Sequence, residues 1–435
     1  MNSTIEKLAS GTTGTLTAKV LVEQYRCVPH HATFTVPQAY SQWLIKLCRH
    51  IPHDESSICG NPSELIDDLR YERYVKYTSW QHSPLNSRLG KSVYYQLRPL
   101  IPFRLRSRLK QLQARGWQDA TFPAWPVDHS VETILERLLM FSLKSHALSN
   151  IPFIWFWPDG YESCAIMTHD VETEEGKEFC QHLMDINDRY GVKSSFQLIP
   201  EERYIVSKQF LDSIRNRGFE INIHDLNHDG YLFKGHKQFL QRAARINQYA
   251  ANYGAVGFRA GVMYRNPDWF EALNISYDMS FPSVARLDPQ RGGCCTVMPY
   301  FIGSILELPL TTIQDYYLFH VFNDYSLALW KAQSQLIMNR HGLISFIVHP
   351  DYIIERRARN TYEVLLTYLA ELRRERNVWL ALPGEVNSWW RQRQQMQLIR
   401  HAGTWQIGGH GSERARVAYA TAAGDSIQYT FEQPM

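Results

Sequence analysis

Two short stretches carry the residue types of a hydrolytic metal centre. A strand-like run over 163–168 ends in His169-Asp170-Val171-Glu172, and a second over 219–223 ends in His224-Asp225-Leu226-Asn227-His228. Side chains alternate faces along a strand, so Asp170 and Glu172 point the same way, roughly 6–7 Å apart at ~3.3 Å per residue. That spacing lets one carboxylate hold a metal ion while the other takes a proton. His224 and His228 meet on one face if the segment after the strand coils into a helical turn. Two imidazoles and a carboxylate are the protein ligands of many catalytic zinc sites, which keep a further position open for water.

Each half alone has an ordinary reading. An Asp-x-Glu at a strand end is common solvated loop chemistry, and a His-x-x-x-His pair arises in polar loops without a metal. Asp225 to Gly230 also matches the first half of a calcium loop. That loop needs a bidentate Glu at its twelfth position, where this chain has His236, and a strand rather than a helix precedes it; calcium is set aside. Two more strand-like runs, 255–258 and 343–348, lead into Arg259 and into His349-Pro350-Asp351. Alone, Arg259 reads as a structural ion-pair residue and His349 as a core histidine. Together, four runs each deliver a reactive residue at a strand's C-terminal end, where barrel and other α/β enzymes build their active sites.

The ordered set Thr168-His169-Asp170-Val171-Glu172, His224-x-x-x-His228, Gly257-Phe258-Arg259-Ala260-Gly261 and Ile347-Val348-His349-Pro350 resembles the polysaccharide deacetylase family, the NodB-homology or carbohydrate esterase 4 group, over roughly residues 160–385. The resemblance implies a distorted (β/α) barrel, one divalent metal ion with zinc the first choice, and removal of acetyl groups from N-acetylated sugars. It also implies roles: Asp170 as the general base that activates water, Arg259 as the residue that orients it, and His349 as the general acid that protonates the departing amine. His224 and His228 resemble the metal-binding histidines. The commonest form of the first motif is Thr-Phe-Asp-Asp-Gly; here Val171 stands where the second Asp would bind metal. In the Asp-Val-Glu form the acid two residues on is the ligand, which makes Glu172 the third, with Asp170 as ligand the open alternative. The chemistry matches these types: amide hydrolysis needs water made nucleophilic near neutral pH, a carboxylate to take its proton and an imidazole to give one to nitrogen. Asp351 or Asp278 is the expected partner orienting His349.

The 435 residues, 44% hydrophobic and 13% aromatic, can bury a large core in two or three domains. A net charge of +3 gives no bulk affinity for nucleic acid, so none is expected as a partner. The start of the chain lacks a basic region followed by an apolar stretch, and no apolar run approaches the ~20 residues of a transmembrane helix. Seven cysteines, an odd number without Cys-x-x-Cys spacing, suit a reduced, cytoplasmic protein.

Three regions are expected. Residues 1–150 form an N-terminal extension, including a basic amphipathic helix over 103–116 with Arg104, Arg106, Arg108, Lys110 and Arg115 and with Leu105, Leu109 and Leu112 at helical spacing. That helix reads either as one packed on the barrel with a solvated basic face or as a peripheral contact to an anionic membrane. Residues 151–385 form the barrel, with strands over 194–199 and 378–382 and helices over 238–253, 325–340 and 362–376 alternating as in α/β folds. Residues 386–435 form a helix and a small β appendage. The expected activity is metal-dependent deacetylation of an N-acetylated sugar or glycoconjugate precursor, with Tyr231, Tyr264 and Tyr352 as candidate sugar-stacking residues. The alternatives are a catalytically silent glycan- or partner-binding scaffold, kept open by Val171, and a hydrolase of non-sugar C–N bonds.

Overall fold

The computed structural model describes residues 15–17, 19–35, 43, 51, 62–78, 122–285 and 288–432. The basic stretch 103–116, with its membrane reading, lies outside the described residues. Strand β1 (Ser163–Val171) is buried along its whole length, as expected of a parallel strand covered on both faces. Helix α1 (Glu174–Tyr190) follows at once. The Thr173 side chain caps it by accepting from the Gly176 amide at 3.1 Å, and Gly191 closes it in the left-handed region at φ 64°. Its Cys180, Leu183, Met184 and Ile186 face inward.

The alternation continues through β2 (Ser195–Leu198), α2 (Lys208–Arg215), β3 (Glu220–His224), α3 (His236–Tyr253), β4 (Gly257–Arg259) and β5 (Tyr277–Asp278). A hairpin of β6 (Tyr300–Ile302) and β7 (Ile305–Glu307) comes next, then α4 (Ala328–Met338), β8 (Leu343–Ile347), α5 (Arg356–Glu375) and β9 (Val378–Ala381). Neighbours in the sheet run β8-β1-β2-β3-β4-β5-β7-β6, parallel throughout except for the β6–β7 hairpin. One edge of β1 pairs β8; along the other, β9 takes Ser163 to Ile166 and β2 takes Thr168 to Val171. This is the distorted, incompletely closed (β/α) barrel expected from the sequence. Each predicted barrel helix and strand is present, with ends shifted by a few residues; α5 begins earlier than expected because Glu355 caps it, accepting from the amides of Arg357 and Ala358. Leu365, Leu366, Leu369 and Leu372 of α5 are buried, and truncating any of them to Ala is worth about 2–5 kcal/mol.

Alternation along β1 sends His169 away from the acids and into the core. Its Nδ1 lies 2.8 Å from the Val348 carbonyl, so that nitrogen carries the proton. Nε2 then accepts from Asn187 Nδ2 at 3.3 Å, while the Tyr362 hydroxyl donates to Asn187 Oδ1 at 2.5 Å. Burial, opposed by the Val348 bond, pulls His169 down to about 4. The unfolded chain takes up this proton near pH 6.5 and the folded chain does not until about 4, so His169 favours the native state above pH 6.5 and that advantage is lost as pH falls from 6.5 towards 4. Between pH 7.5 and 5 the loss is about 2 kcal/mol. His169→Asn keeps a donor for Val348 and has nothing to titrate. Urea unfolding at those two pH values is expected to differ by about 2 kcal/mol less in the variant; equal differences in both proteins would remove this account.

The described residues fall into two units, one within 83–128 and 161–388 that holds the barrel, the other within 1–82, 129–160 and 389–435. In the second unit strand Ile151–Ile154 pairs antiparallel with Val417–Ala423, which pairs with Ser426–Thr430. Arg393 is buried there and donates to the carbonyls of Trp155, Ile154 and Gln24, with its guanidinium over the Phe156 and Trp390 rings at 5.5 and 5.1 Å. Trp389 and Trp390 are buried packing residues of this unit. Among the described residues no helix is long and apolar enough to cross a membrane.

Candidate active site

The other face of β1 carries Thr168, Asp170 and Glu172. Arg259, at the end of β4 and fully buried, reaches this row: its Nη1 donates to Thr168 Oγ1 at 2.8 Å and to Asp170 Oδ1 at 2.7 Å, and its Nε donates to the Met279 carbonyl at 3.0 Å. Three anchors on one guanidinium hold Asp170 in a single orientation. Its second oxygen lies 3.7 Å from His224 Nε2. Burial pushes the Asp170 carboxyl up, but Arg259, with His224 and His349, brings it below the ordinary carboxylate range.

Glu172, His224 and His228 each offer a ligand atom, and these atoms lie within 4.8 Å of one another. The two imidazole rings are 4.8 Å apart at their centroids, yet no helical turn brings them together. The chain after β3 instead folds through two left-handed residues, Asp225 at φ 58° and His228 at φ 55°. Asn and Asp tolerate this region better than His, so the conformation of His228 is held by its surroundings. Arg203 supplies part of that hold, donating to the carbonyls of Asn227 and His228 at 3.2 and 2.9 Å.

His224 Nδ1 donates to the Arg259 carbonyl at 3.1 Å. That bond leaves Nε2 as a bare lone pair aimed into the cluster, and this buried atom has no hydrogen-bond partner. A buried acceptor left unpaired costs about 1–3 kcal/mol, and an imidazole oriented through its other nitrogen in this way suits a metal ligand. Burial, helped by His228 and opposed by Asp170, draws His224 down to about 4, which keeps the lone pair free at neutral pH. His228 Nε2 stands 3.1 Å from Glu172 Oε1. With two nitrogens and an oxygen converging on one point, the donor set suits a borderline divalent ion such as zinc. Asp170, occupied by Arg259, is not a member of this cluster, and Val171 lies buried on the opposite face.

His349, at the end of β8, completes the site. Its Nε2 faces Glu172 Oε1 at 3.6 Å, and its Nδ1 is 2.6 Å from Asp315 Oδ1, while Asp315 Oδ2 accepts from the His349 amide at 2.7 Å. Burial disfavours the imidazolium, but Asp315, with Glu172 and Asp170 behind it, raises His349 to about 10. The orienting acid is therefore neither Asp351 nor Asp278. Asp351 instead holds the chain just after β1, accepting from the Glu172 amide at 3.2 Å and from Thr173 Oγ1. Asp278 binds Ser280 through its amide and hydroxyl at 3.0 and 2.7 Å. Asp315 escaped the sequence reading because it precedes the helical segment Tyr316–Phe322 rather than ending a regular strand. Of the three candidate stacking tyrosines, Tyr352 lies against His349 at 4.7 Å between centroids, whereas the Lys234 ammonium sits over the Tyr231 ring at 4.5 Å.

The strand ends thus deliver Asp170 and Glu172, His224 and His228, Arg259, and His349 in the chain order of the polysaccharide deacetylase motifs. No family model matches the chain, and no curated protein matches it. Similar solved structures include a protein classed as a polysaccharide deacetylase from Mycobacterium smegmatis, at 18% identity and TM-score 0.46 over 57% of this chain and 97% of that one. Another so classed, from Pseudomonas aeruginosa PAO1, has 13% identity and TM-score 0.43 over 54% and 92%. Puue allantoinase has 10% identity and TM-score 0.41 over 54% and 92%. These are likenesses of chain path, and none assigns a residue or substrate here.

Proposed function

We propose that this chain is a metal-dependent hydrolase that removes the acetyl group from an N-acetylated sugar or glycoconjugate precursor. The observation that carries the reading is the bare, buried Nε2 of His224 inside the Glu172–His224–His228 cluster, with an acid held by arginine on one side and a histidine held by aspartate on the other. Glu172, His224 and His228 are the residues that would hold the ion, zinc being the first candidate. The chemistry such an ion supplies when bound is Lewis-acid polarisation of a carbonyl and acidification of water.

The chain's own groups divide the proton work. Asp170, ionised and aimed by Arg259, takes a proton from water as oxygen adds to the acetamide carbon. His349, kept protonated by Asp315, gives a proton to nitrogen as the C–N bond breaks, so water and amide become acetate and a free amine. Each positioned proton transfer is worth about 10²–10⁴ in rate. The Tyr352 ring borders the position of the acid.

The test has two stages. Elemental analysis is expected to find about one divalent ion per chain in the wild type and far less in Glu172→Ala, His224→Ala and His228→Ala. Acetate release is then measured across N-acetylated sugars and non-sugar amides. No ion on the wild type after incubation with zinc, cobalt, nickel or manganese would overturn the reading in favour of a binding scaffold; release from non-sugar amides alone would change the substrate class.

A further inference from the structure

Two irregular loops meet beside the metal ligands, the first after β3 (His224 to Gly230) and the second after β4 (Gly261 to Tyr264). Both are held in sparsely populated backbone regions. Asp225, His228, Val262 and Met263 all have φ between 55° and 59°, a region that few non-glycine residues adopt. Val262 stands out among them, since a β-branched residue rarely enters the left-handed region. Backbone strain of this kind persists only where the surroundings over-determine it.

The surroundings here are close-fitting. Asp225 is fully buried, its amide donates to the Arg259 carbonyl at 2.9 Å, and its Oδ1 accepts from the Leu226 amide at 2.6 Å. Its Oδ2 is buried with no hydrogen-bond partner. That oxygen lies over the α-carbon of Gly261. A methyl group on Gly261 would overlap Asp225 Oδ2 and stand only 2.9 Å from Cδ2 of the His228 ring. The carboxylate and the imidazole therefore share the one volume that a side chain at position 261 would fill. The φ of Gly261 lies outside the left-handed region, so this glycine serves close approach rather than backbone freedom.

We infer that Asp225 is a positioning residue for His228: packed with the imidazole against Gly261, its carboxylate sets the ring in the Glu172–His224–His228 cluster by shape. The inference rests on the metal reading above and adds to it a residue outside the ligand set that governs how tightly the ion is held. The hold is assigned to shape, so an Asn at this position, which fills the same volume, should preserve it. Partners that orient a metal ligand are typically worth about 10–100-fold in metal affinity.

Cobalt(II) is the probe, since its visible absorption reports ligand geometry and its affinity follows from titration against a chelator. Gly261→Ala is expected to weaken cobalt about 10–100-fold and to alter the bands, by driving the carboxylate and the ring apart. Asp225→Gly, which tolerates the left-handed backbone, is expected to weaken it by about 10-fold through a loosened ring. Asp225→Asn is expected to stay within about threefold of the wild type. The double variant Gly261→Ala/Asp225→Gly puts a methyl where the carboxylate was. It is expected to bind more tightly than Gly261→Ala alone and to regain the wild-type bands, the non-additivity of residues in contact. Gly261→Ala/Asp225→Asn should show no such recovery. Circular dichroism and melting temperature separate ring displacement from unfolding, and recovery in the double variant cannot arise from a misfolded parent. Wild-type affinity in Gly261→Ala, additive loss in the double variant, or a loss in Asp225→Asn equal to that in Asp225→Gly would each overturn the inference. If the wild type itself binds no cobalt, the metal reading fails first and the inference falls with it.

Discussion

Asp170→Asn is expected to lower kcat/KM for acetate release by about 10³–10⁴-fold while leaving the bound ion at full stoichiometry. The substitution changes almost nothing but the ability to take a proton. Asn has the same outline, and its carbonyl oxygen can still accept from Arg259 Nη1, now 2.7 Å from Asp170 Oδ1. Arg259 also keeps its bonds to Thr168 Oγ1 and to the Met279 carbonyl. Losing the negative charge beside a fully buried guanidinium does carry a cost. Breaking a buried pair outright is worth about 3–5 kcal/mol, and retention of the hydrogen bonds keeps the variant nearer the low end. Circular dichroism and a thermal melt establish that it folds. Two other results carry clear meanings. Loss of the ion together with activity would make Asp170 a ligand and return Glu172 to a supporting role. Retention of activity within about tenfold would mean that another group takes the proton.

The part of this site that could be read without a structure was the part governed by local periodicity. The two-residue repeat of β1 sorts Thr168, Asp170 and Glu172 from His169 and Val171, and the burial of Val171 and His169 follows from the same alternation. The four strand ends were legible for the same reason: apolar runs interrupted by His, Arg or acid mark where a parallel strand leaves the core. What local rules could not supply was the geometry of irregular segments. His224 and His228 do come together, but through left-handed residues at Asp225 and His228 rather than a helical turn. Helical spacing predicted the meeting for a reason the molecule does not use. Asp315 was missed because its only credential is proximity to His349, 34 positions away in the chain, and no repeat or motif encodes that proximity. Asp351, two residues from His349, looked the better partner by sequence distance, yet the chain turns at Pro350 and carries it to the Glu172 amide.

His349→Ala is expected to separate substrates by their leaving group. On an N-acetylated sugar the departing amine is a poor leaving group and needs its proton as the C–N bond breaks, so kcat should fall by about 10³-fold. On an activated aryl acetate the leaving phenolate departs without a proton, and the loss should be under about tenfold. The geometry supports this division. Nε2 of His349 faces the cluster 3.6 Å from Glu172 Oε1, while Nδ1 is committed to Asp315 at 2.6 Å, so only one nitrogen is available to a substrate and Asp315 keeps it supplied with a proton. Asp315→Asn should therefore follow the same pattern in weaker form, with a larger loss on the amide than on the ester, because it removes the charge that favours the imidazolium while leaving the ring in place. Bound metal should be unchanged in both variants, since neither residue belongs to the Glu172–His224–His228 set. Equal losses on the amide and the activated ester would show that His349 does not act as an acid and instead shapes the site. Loss of the ion in His349→Ala would make it a fourth ligand, and the proton for the amine would then have to come from another group.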